Sequence, residues 1–313
     1  MNNVACDAHP RLRPLALPQL FALDIKPRGM VLDPIIPEKG LVMLYAARGT
    51  GKTHVALGIA YAVATGGSFL KWQAPKPRRV LLIDGEMPAS ALRERLQSIA
   101  AAGGEAPDLL EVLAGDLIDG GIGNLAVPQV QAEVEALLDG VDLLILDNLA
   151  SLTAVHRDDA VSWTPIQEWL LRLRRRGLSV LVVHHAGKSG DQRGTSRRED
   201  VLDTSINLRH SSDYEPSEGA RFEVHIEKCR GVLAERARPF EARLETREGR
   251  AVWIMRSIDN VEGPRVAAMY NAGMSLRDIA AEIGISKSAV HRLMQKMGED
   301  AARDSSRGGT GTA

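Results

Sequence analysis

The chain has only two cysteines in 313 residues, Cys6 and Cys229. They lie far apart and form no CxxC pair, which excludes a disulfide framework and a cysteine-built zinc site and fits a reducing compartment. No apolar run approaches the roughly 18 residues that a membrane helix needs. Residues 1–20 carry Pro and Arg where a secretory leader would have its apolar stretch. The expected location is the cytoplasm, with no membrane partner. There is no surplus of one charge either: 39 basic and 40 acidic residues give a net charge of −1. No global field therefore advertises a polyanion, and any nucleic-acid surface has to come from local clustering. What remains, 44% hydrophobic and 25% charged residues, suits one large α/β domain and a small appendage.

Residues 1–40 hold six prolines (Pro10, Pro14, Pro18, Pro27, Pro34, Pro37) and read as an extended, turn-broken arm, able to lie on a neighbour. From Leu41 continuous apolar runs alternate with helical patterns. The runs are Leu41–Tyr45, Arg79–Ile83, Leu110–Leu113, Val141–Leu146 and Leu178–Val183, with helices expected over 52–64, 89–101, 128–139 and 162–176. This is the pattern of a mainly parallel sheet covered on both faces. After Asp200 it changes to the alternation of half-exposed antiparallel strands, at Phe222–Glu227, Phe240–Leu244 and Ala251–Met255. Gly263-Pro264 reads as a linker to a helical module, and 298–313 has the composition of disordered chain. The expected domains are therefore an arm at 1–40, an α/β domain at 41–260, a helical module at 264–297 and a tail at 298–313.

Between the first strand and first helix stands Ala46-Ala47-Arg48-Gly49-Thr50-Gly51-Lys52-Thr53. Strand, glycine loop and helix start together make a phosphate cradle. Backbone N–H groups and the helix dipole face the anion, Lys52 supplies a mobile charge for the β/γ-phosphates, and the Thr53 hydroxyl can hold Mg²⁺. Residues Ala47, Arg48, Gly49, Thr50, Gly51, Lys52, Thr53 and His54 are the expected ATP contacts. The usual pattern opens with Gly where this chain has Ala46. A second element, Leu143–Asp147, is a buried strand ending in a carboxylate, which can orient the Mg²⁺ shell with Thr53.

The strand at 80–83 runs into Asp84-Gly85-Glu86-Met87-Pro88-Ala89-Ser90-Ala91-Leu92. This segment resembles its counterpart in replicative helicases of the DnaB and RepA types, members of the RecA-fold ATPases. The resemblance implies that Glu86 is the general base orienting the attacking water. It implies that His185, in the His184-His185 pair after the third strand, senses the γ-phosphate. A zinc site at the pair is disfavoured, because adjacent strand residues point to opposite faces. It also implies that the basic loop after the pair touches single-stranded DNA in a ring channel through Lys188, Arg193 and Arg197. Glu227-Lys228-Cys229-Arg230-Gly231 is similar to the segment that carries Lys and Arg to a neighbouring subunit's γ-phosphate in such rings. Here Gly follows Arg230 directly, a shorter spacing than in the family. The basic block Arg172, Arg174, Arg175, Arg176 needs no such role, since cations at a helix C-terminus are favoured by the dipole alone.

Residues 272–294 resemble a helix-turn-helix, with Ser275 capping one helix and Ser286 the next. Lys287, Ser288, His291, Arg292 and Gln295 are expected on the outer face, where a major groove would lie. From Pro264 to Met297 five basic residues stand against two acids, which favours duplex DNA over the alternative of a protein-docking module. The expectation as a whole is a RecA-like ATPase using ATP and Mg²⁺, hexameric, unwinding or moving along DNA in plasmid or mobile-element replication. A nucleotide-dependent DNA assembly factor, an ATP-responsive transcription regulator and a small-molecule kinase share parts of the same signature.

Overall fold

The computed structural model describes residues 14–104, 106–153, 160–185, 200–211, 213–231, 235–283, 287–288, 290–291 and 293–295. Its centre is a nine-stranded sheet in the order Arg250–Ser257, Phe240–Arg247, Arg221–Cys229, Thr204–Arg209, Leu41–Ala46, Ser179–His185, Leu143–Asp147, Val80–Asp84 and Leu110–Ala114. The chain's first long strand, β3 (Leu41–Ala46), has β6 (Val80–Asp84), β7 (Leu110–Ala114), β8 (Leu143–Asp147) and β9 (Ser179–His185) on one side of it. All run parallel. On the other side β10 (Thr204–Arg209) is also parallel to β3, and β11 (Arg221–Cys229), β12 (Phe240–Arg247) and β13 (Arg250–Ser257) follow as antiparallel strands.

The continuous apolar runs exist because this sheet is covered twice. Alternate β3 residues Val42, Leu44 and Ala46 join one buried cluster, and Leu41, Met43 and Tyr45 join a second. Helices α2 (Lys52–Thr65) and α3 (Ala89–Gly103) pack on the first face; α4 (Pro128–Glu135) and α6 (Ala160–Arg175) cover the second. A short helix α5 (Leu149–Leu152) sits just past β8. Between α2 and β6 a tight hairpin, β4 (Ser68–Phe69) and β5 (Trp72–Gln73), puts Phe69 and Trp72 against Trp253 and Phe240. That aromatic patch ties the antiparallel extension to the parallel core.

The expected arm is shorter than 40 residues. A hairpin of β1 (Met30–Leu32) and β2 (Ile36–Pro37) packs Val31, Leu32, Ile35 and Ile36, none more than 1% exposed, into the cluster around α2. Its prolines do not extend the chain; Pro34 stands in the turn between the strands, and the four apolar residues on either side find a core face. Arg28 anchors the start by donating to Asp203 at 2.9 Å and to the Glu38 and Lys39 carbonyls. Among the described residues only 14–27 keep an arm's character: helix α1 (Leu17–Phe21) buries nothing, and Phe21 is 76% exposed.

The expected linker at Gly263-Pro264 is also corrected. Helix α7 (Ile258–Asn271) begins directly after β13 and passes through both residues. A local breaker is overridden there by packing, because Val266 one turn on is fully buried against Ile279, Ala280, Val290 and Leu293. Helix α8 (Leu276–Ile283) starts where expected: Ser275 Oγ accepts the Asp278 N–H at 3.3 Å, and its own hydroxyl donates to the Asp278 carboxylate at 2.6 Å. That reciprocal cap satisfies a donor that the helix itself cannot.

Ile35→Ala is expected to cost about 2–5 kcal/mol, the range for emptying a fully buried aliphatic site, whereas Phe21→Ser leaves the melting transition in place. Thermal unfolding of both variants checks that the domain begins near residue 29.

Candidate nucleotide site

Parallel strands share one C-terminal edge, so their last residues meet. In register, Ala46 stands beside His185 and Asp84 beside Asp147. Ligands of open α/β sheets bind outside such an edge, and every element read as catalytic in the sequence, apart from the 228–230 segment, converges there.

The loop 47–51 turns on two left-handed glycines, Gly49 (φ 79°) and Gly51 (φ 113°). Gly51 must also lack a side chain, since a Cβ there would stand 2.9 Å from the Phe222 ring. Ala46 is the last residue of β3, fully buried between its neighbours and without a positive φ. The backbone there has no need of glycine, which accounts for the departure from the usual pattern. Ala47, Arg48 and Gly49 face solvent while Thr50 is buried, its hydroxyl donating to the Ala47 carbonyl at 3.0 Å. Lys52 is 5% exposed and donates to the Ala46 and Ala47 carbonyls at 3.1 and 2.7 Å. Burial pulls its pKa down to about 8, against the opposing pull of Asp147 and Glu86. His54, one residue on, is driven down to about 4 by burial and by the charge of Arg95, so it is a neutral ring at physiological pH.

Asp147 is 2% exposed. Burial raises its carboxyl to about 7, and the Thr53 hydroxyl that donates to it acts in the opposite direction. Its Oδ2 is buried with no hydrogen-bond partner. A half-satisfied carboxylate next to a hydroxyl is the donor set a hard cation takes, so Thr53 and Asp147 fit Mg²⁺. Asp84 is equally hidden, and its carboxylate accepts the N–H groups of Glu86 at 3.1 Å and Met87 at 2.7 Å. These two bonds fold the chain after β6 so that Glu86 turns back over the edge. Glu86 then accepts from Asn148 Nδ2, and His185 Nε2 lies 3.6 Å away. The His185 pKa is lowered chiefly by burial and next by Lys52, which keeps the imidazole neutral beside a carboxylate. A carboxylate, a hydroxyl–carboxyl pair and a neutral ring thus stand together at the edge beside the loop.

A family model described as AAA domain, AAA_25, matches residues 8–191, more than half of the chain. The chain belongs to the AAA_25 family. Strands β10–β13 lie beyond the matched range. A second model, the IclR helix-turn-helix domain, matches residues 268–299. Among solved structures, the flagellar accessory protein FlaH from Methanocaldococcus jannaschii is similar at 13% identity and a TM-score of 0.49, covering 71% of this chain and 92% of that one. The ATPase domain of G40P is similar at 15% identity and a TM-score of 0.49, covering 68% and 84%. With its sheet order and nucleotide loop, this AAA domain is a RecA-like P-loop ATPase followed by a helix-turn-helix.

The structure does not bring Lys228 and Arg230 to this site. Cys229 pairs with Thr204, and Thr204 with Val42. The segment is therefore level with the start of β3, four residue steps and roughly 13 Å of strand below Ala46. Arg230 is exposed and donates to the Asp200 carbonyl at 3.1 Å, while its N–H bonds the Asp203 carbonyl at 3.0 Å. Asp203 also accepts from the Leu41 N–H and pairs with Arg28 and Arg174. The α6 arginines are employed structurally, as expected: Arg172 reaches Gln131 and Arg176 pairs with Glu135. In the helical module Lys287, Ser288, His291 and Gln295 are exposed while Val290 and Leu293 are buried. Lys188, Arg193, Arg197 and Arg292 lie outside the described residues.

Asn148 escaped the sequence reading. Its Oδ1 caps α5 by accepting from the Ala150 and Ser151 N–H groups, and its Nδ2 holds Glu86. An Asn placed between a strand-end Asp and a new apolar helix was the available signal.

The buried Asp147 carboxyl keeps its proton in the fold up to about pH 7 but loses it near 4 when unfolded. The stability this contributes is whole below pH 4 and gone above pH 7. Asp147→Asn is accordingly expected to raise the melting temperature of nucleotide-free protein at pH 8 and to change it little at pH 4, measured by thermal denaturation across pH.

Proposed function

We propose that this AAA domain hydrolyses ATP with Mg²⁺ as a DNA motor of the RepA and DnaB helicase type, closing its site between copies of itself in a ring, expected to be a hexamer. The observation that carries the reading is the opposed placement of the two charged sets. The cradle, Glu86 and His185 occupy the C-terminal edge of the sheet. Lys228 and Arg230 occupy the opposite edge, too far to serve the same molecule's phosphates. A head-to-tail arrangement delivers them to the next copy, and heterologous contacts of that kind make a ring when the rotation between copies closes. Their charge would then stabilise the γ-phosphoryl in the transition state, while Glu86 takes the proton of the attacking water and Lys52 moves from the loop carbonyls to the β/γ-phosphates. Lys188, Arg193 and Arg197 are proposed to line the channel and grip single-stranded DNA, and Lys287, Ser288, His291 and Arg292 to face duplex DNA. The setting we propose is the cytoplasmic replication of a plasmid or mobile element.

The test is ATPase activity with and without single-stranded DNA. Stimulation by the single strand, abolished in Glu86→Gln, is the expected result. Doping wild type with excess Arg230→Ala subunits is expected to depress turnover more than dilution accounts for. Turnover unchanged by subunits that demonstrably co-assemble would overturn the shared site.

A second reading, an ATP-dependent DNA-binding assembly factor or regulator that does not unwind, is favoured by the helix-turn-helix match at 268–299. Strand displacement on a forked duplex separates the two. On either reading Lys287→Ala is expected to weaken duplex binding about equally across sequences and to reduce the salt slope by about 1, as for a lost phosphate contact. Titrations at several salt concentrations check this.

A further inference from the structure

The phosphate end of the site has a direction. Glu86 and Asn148 follow β6 and β8, and Asp147 and His185 end β8 and β9; these strands all lie on one side of β3 in the sheet. A nucleotide whose terminal phosphate points at them must carry its nucleoside away on the other side, over β10 and β11. That side is built. The start of β11 touches the cradle itself: a Cβ on Gly51 would meet the Phe222 ring at 2.9 Å and the Ala220 Cβ at 3.4 Å.

Directly beyond, the connection between β10 and β11 holds two stacked rings, His210 and Tyr214, with centroids 3.7 Å apart and planes 18° from parallel. Neither is buried in the core. Each is nevertheless pinned. His210 Nδ1 donates to the Arg221 carbonyl at 3.2 Å, the residue next to Phe222, and the Tyr214 hydroxyl donates to the Gly219 carbonyl at 2.9 Å. The Tyr214 N–H closes the turn onto the Ser211 carbonyl at 3.0 Å. Arg221 fastens the base of the loop by pairing with Asp213, Glu218 and Glu241.

The result is a half-exposed aromatic platform tied through Arg221 to Phe222, the ring that borders Gly51 of the cradle. Flat apolar faces held in place before a ligand arrives are what a planar heterocycle binds, by stacking that every base can make. The arrangement has no evident role in the core: both hydrophobic clusters are complete without either ring.

We propose that the Tyr214–His210 stack is the base platform of the nucleotide site, with the purine ring of the nucleoside triphosphate lying on its open face. The proposal rests on the reading of residues 46–53 as the phosphate cradle. The platform selects for the nucleoside, and the cradle for the triphosphate, so the two ends can be separated by ligand.

The experiment is equilibrium competition against a fluorescent ATP analogue, using MgATP and magnesium inorganic triphosphate as competitors, on the full chain. Tyr214→Ala is expected to weaken ATP about 10-fold, the size of a lost base–aromatic stack, and to leave inorganic triphosphate unchanged. Tyr214→Phe, which keeps the ring and loses the bond to Gly219, is expected to retain most of the ATP affinity. Equal weakening of both ligands by Tyr214→Ala, or no weakening of either, overturns the platform. If Lys52→Ala leaves inorganic triphosphate binding as in wild type, the cradle reading itself falls, and the platform with it.

Discussion

Three ionisable side chains, Lys52, Asp84 and Asp147, are held almost out of water at one edge of a parallel sheet, and the local architecture is shaped by the cost of keeping them there. An ion moved from water into a protein interior must find partners or surrender its charge. Lys52 folds back onto two loop carbonyls, Asp84 takes two backbone N–H groups, and Asp147 keeps one oxygen with no partner at all. The unmet demand is greatest where a triphosphate and its cation would supply it. The polar groups of this edge are thus set in place by the fold itself rather than by a bound anion.

The sheet makes this possible because its strands are fully covered. Both faces of β3 are buried in separate clusters, so the strand ends cannot slide relative to one another without exposing core. Register therefore sets the geometry of this edge, since the offset between Asp84 and Asp147, or between Ala46 and His185, is set by the same packing that holds the domain together.

Much of this was legible beforehand for a physical reason. A buried parallel strand leaves a continuous apolar run, and a phosphate loop leaves Gly-x-Gly-Lys-Thr, because few other residues satisfy those backbones and that chemistry. The misreadings have equally local causes. Prolines at 27, 34 and 37 signalled extended chain, yet four apolar residues among them found a core face. Gly263-Pro264 signalled a break, yet burial of Val266 carried the helix across. Asn148 left a faint trace because its work is done through a second residue: it positions Glu86 and caps a one-turn helix. The orientation of Lys228 and Arg230 could not be read at all from spacing, since it depends on strand order.

Asp203 occupies a junction whose importance lies outside the nucleotide edge. Its carboxylate holds Arg28, Arg174 and the first amide of β3, and its carbonyl holds the amide of Arg230. The root of the N-terminal segment, the end of α6, the central strand and the charged tip at 228–230 are thereby fastened to one point. Without that carboxylate two guanidinium groups and a buried amide lose their shared acceptor at one stroke, so the knot loosens at three ends together rather than at one.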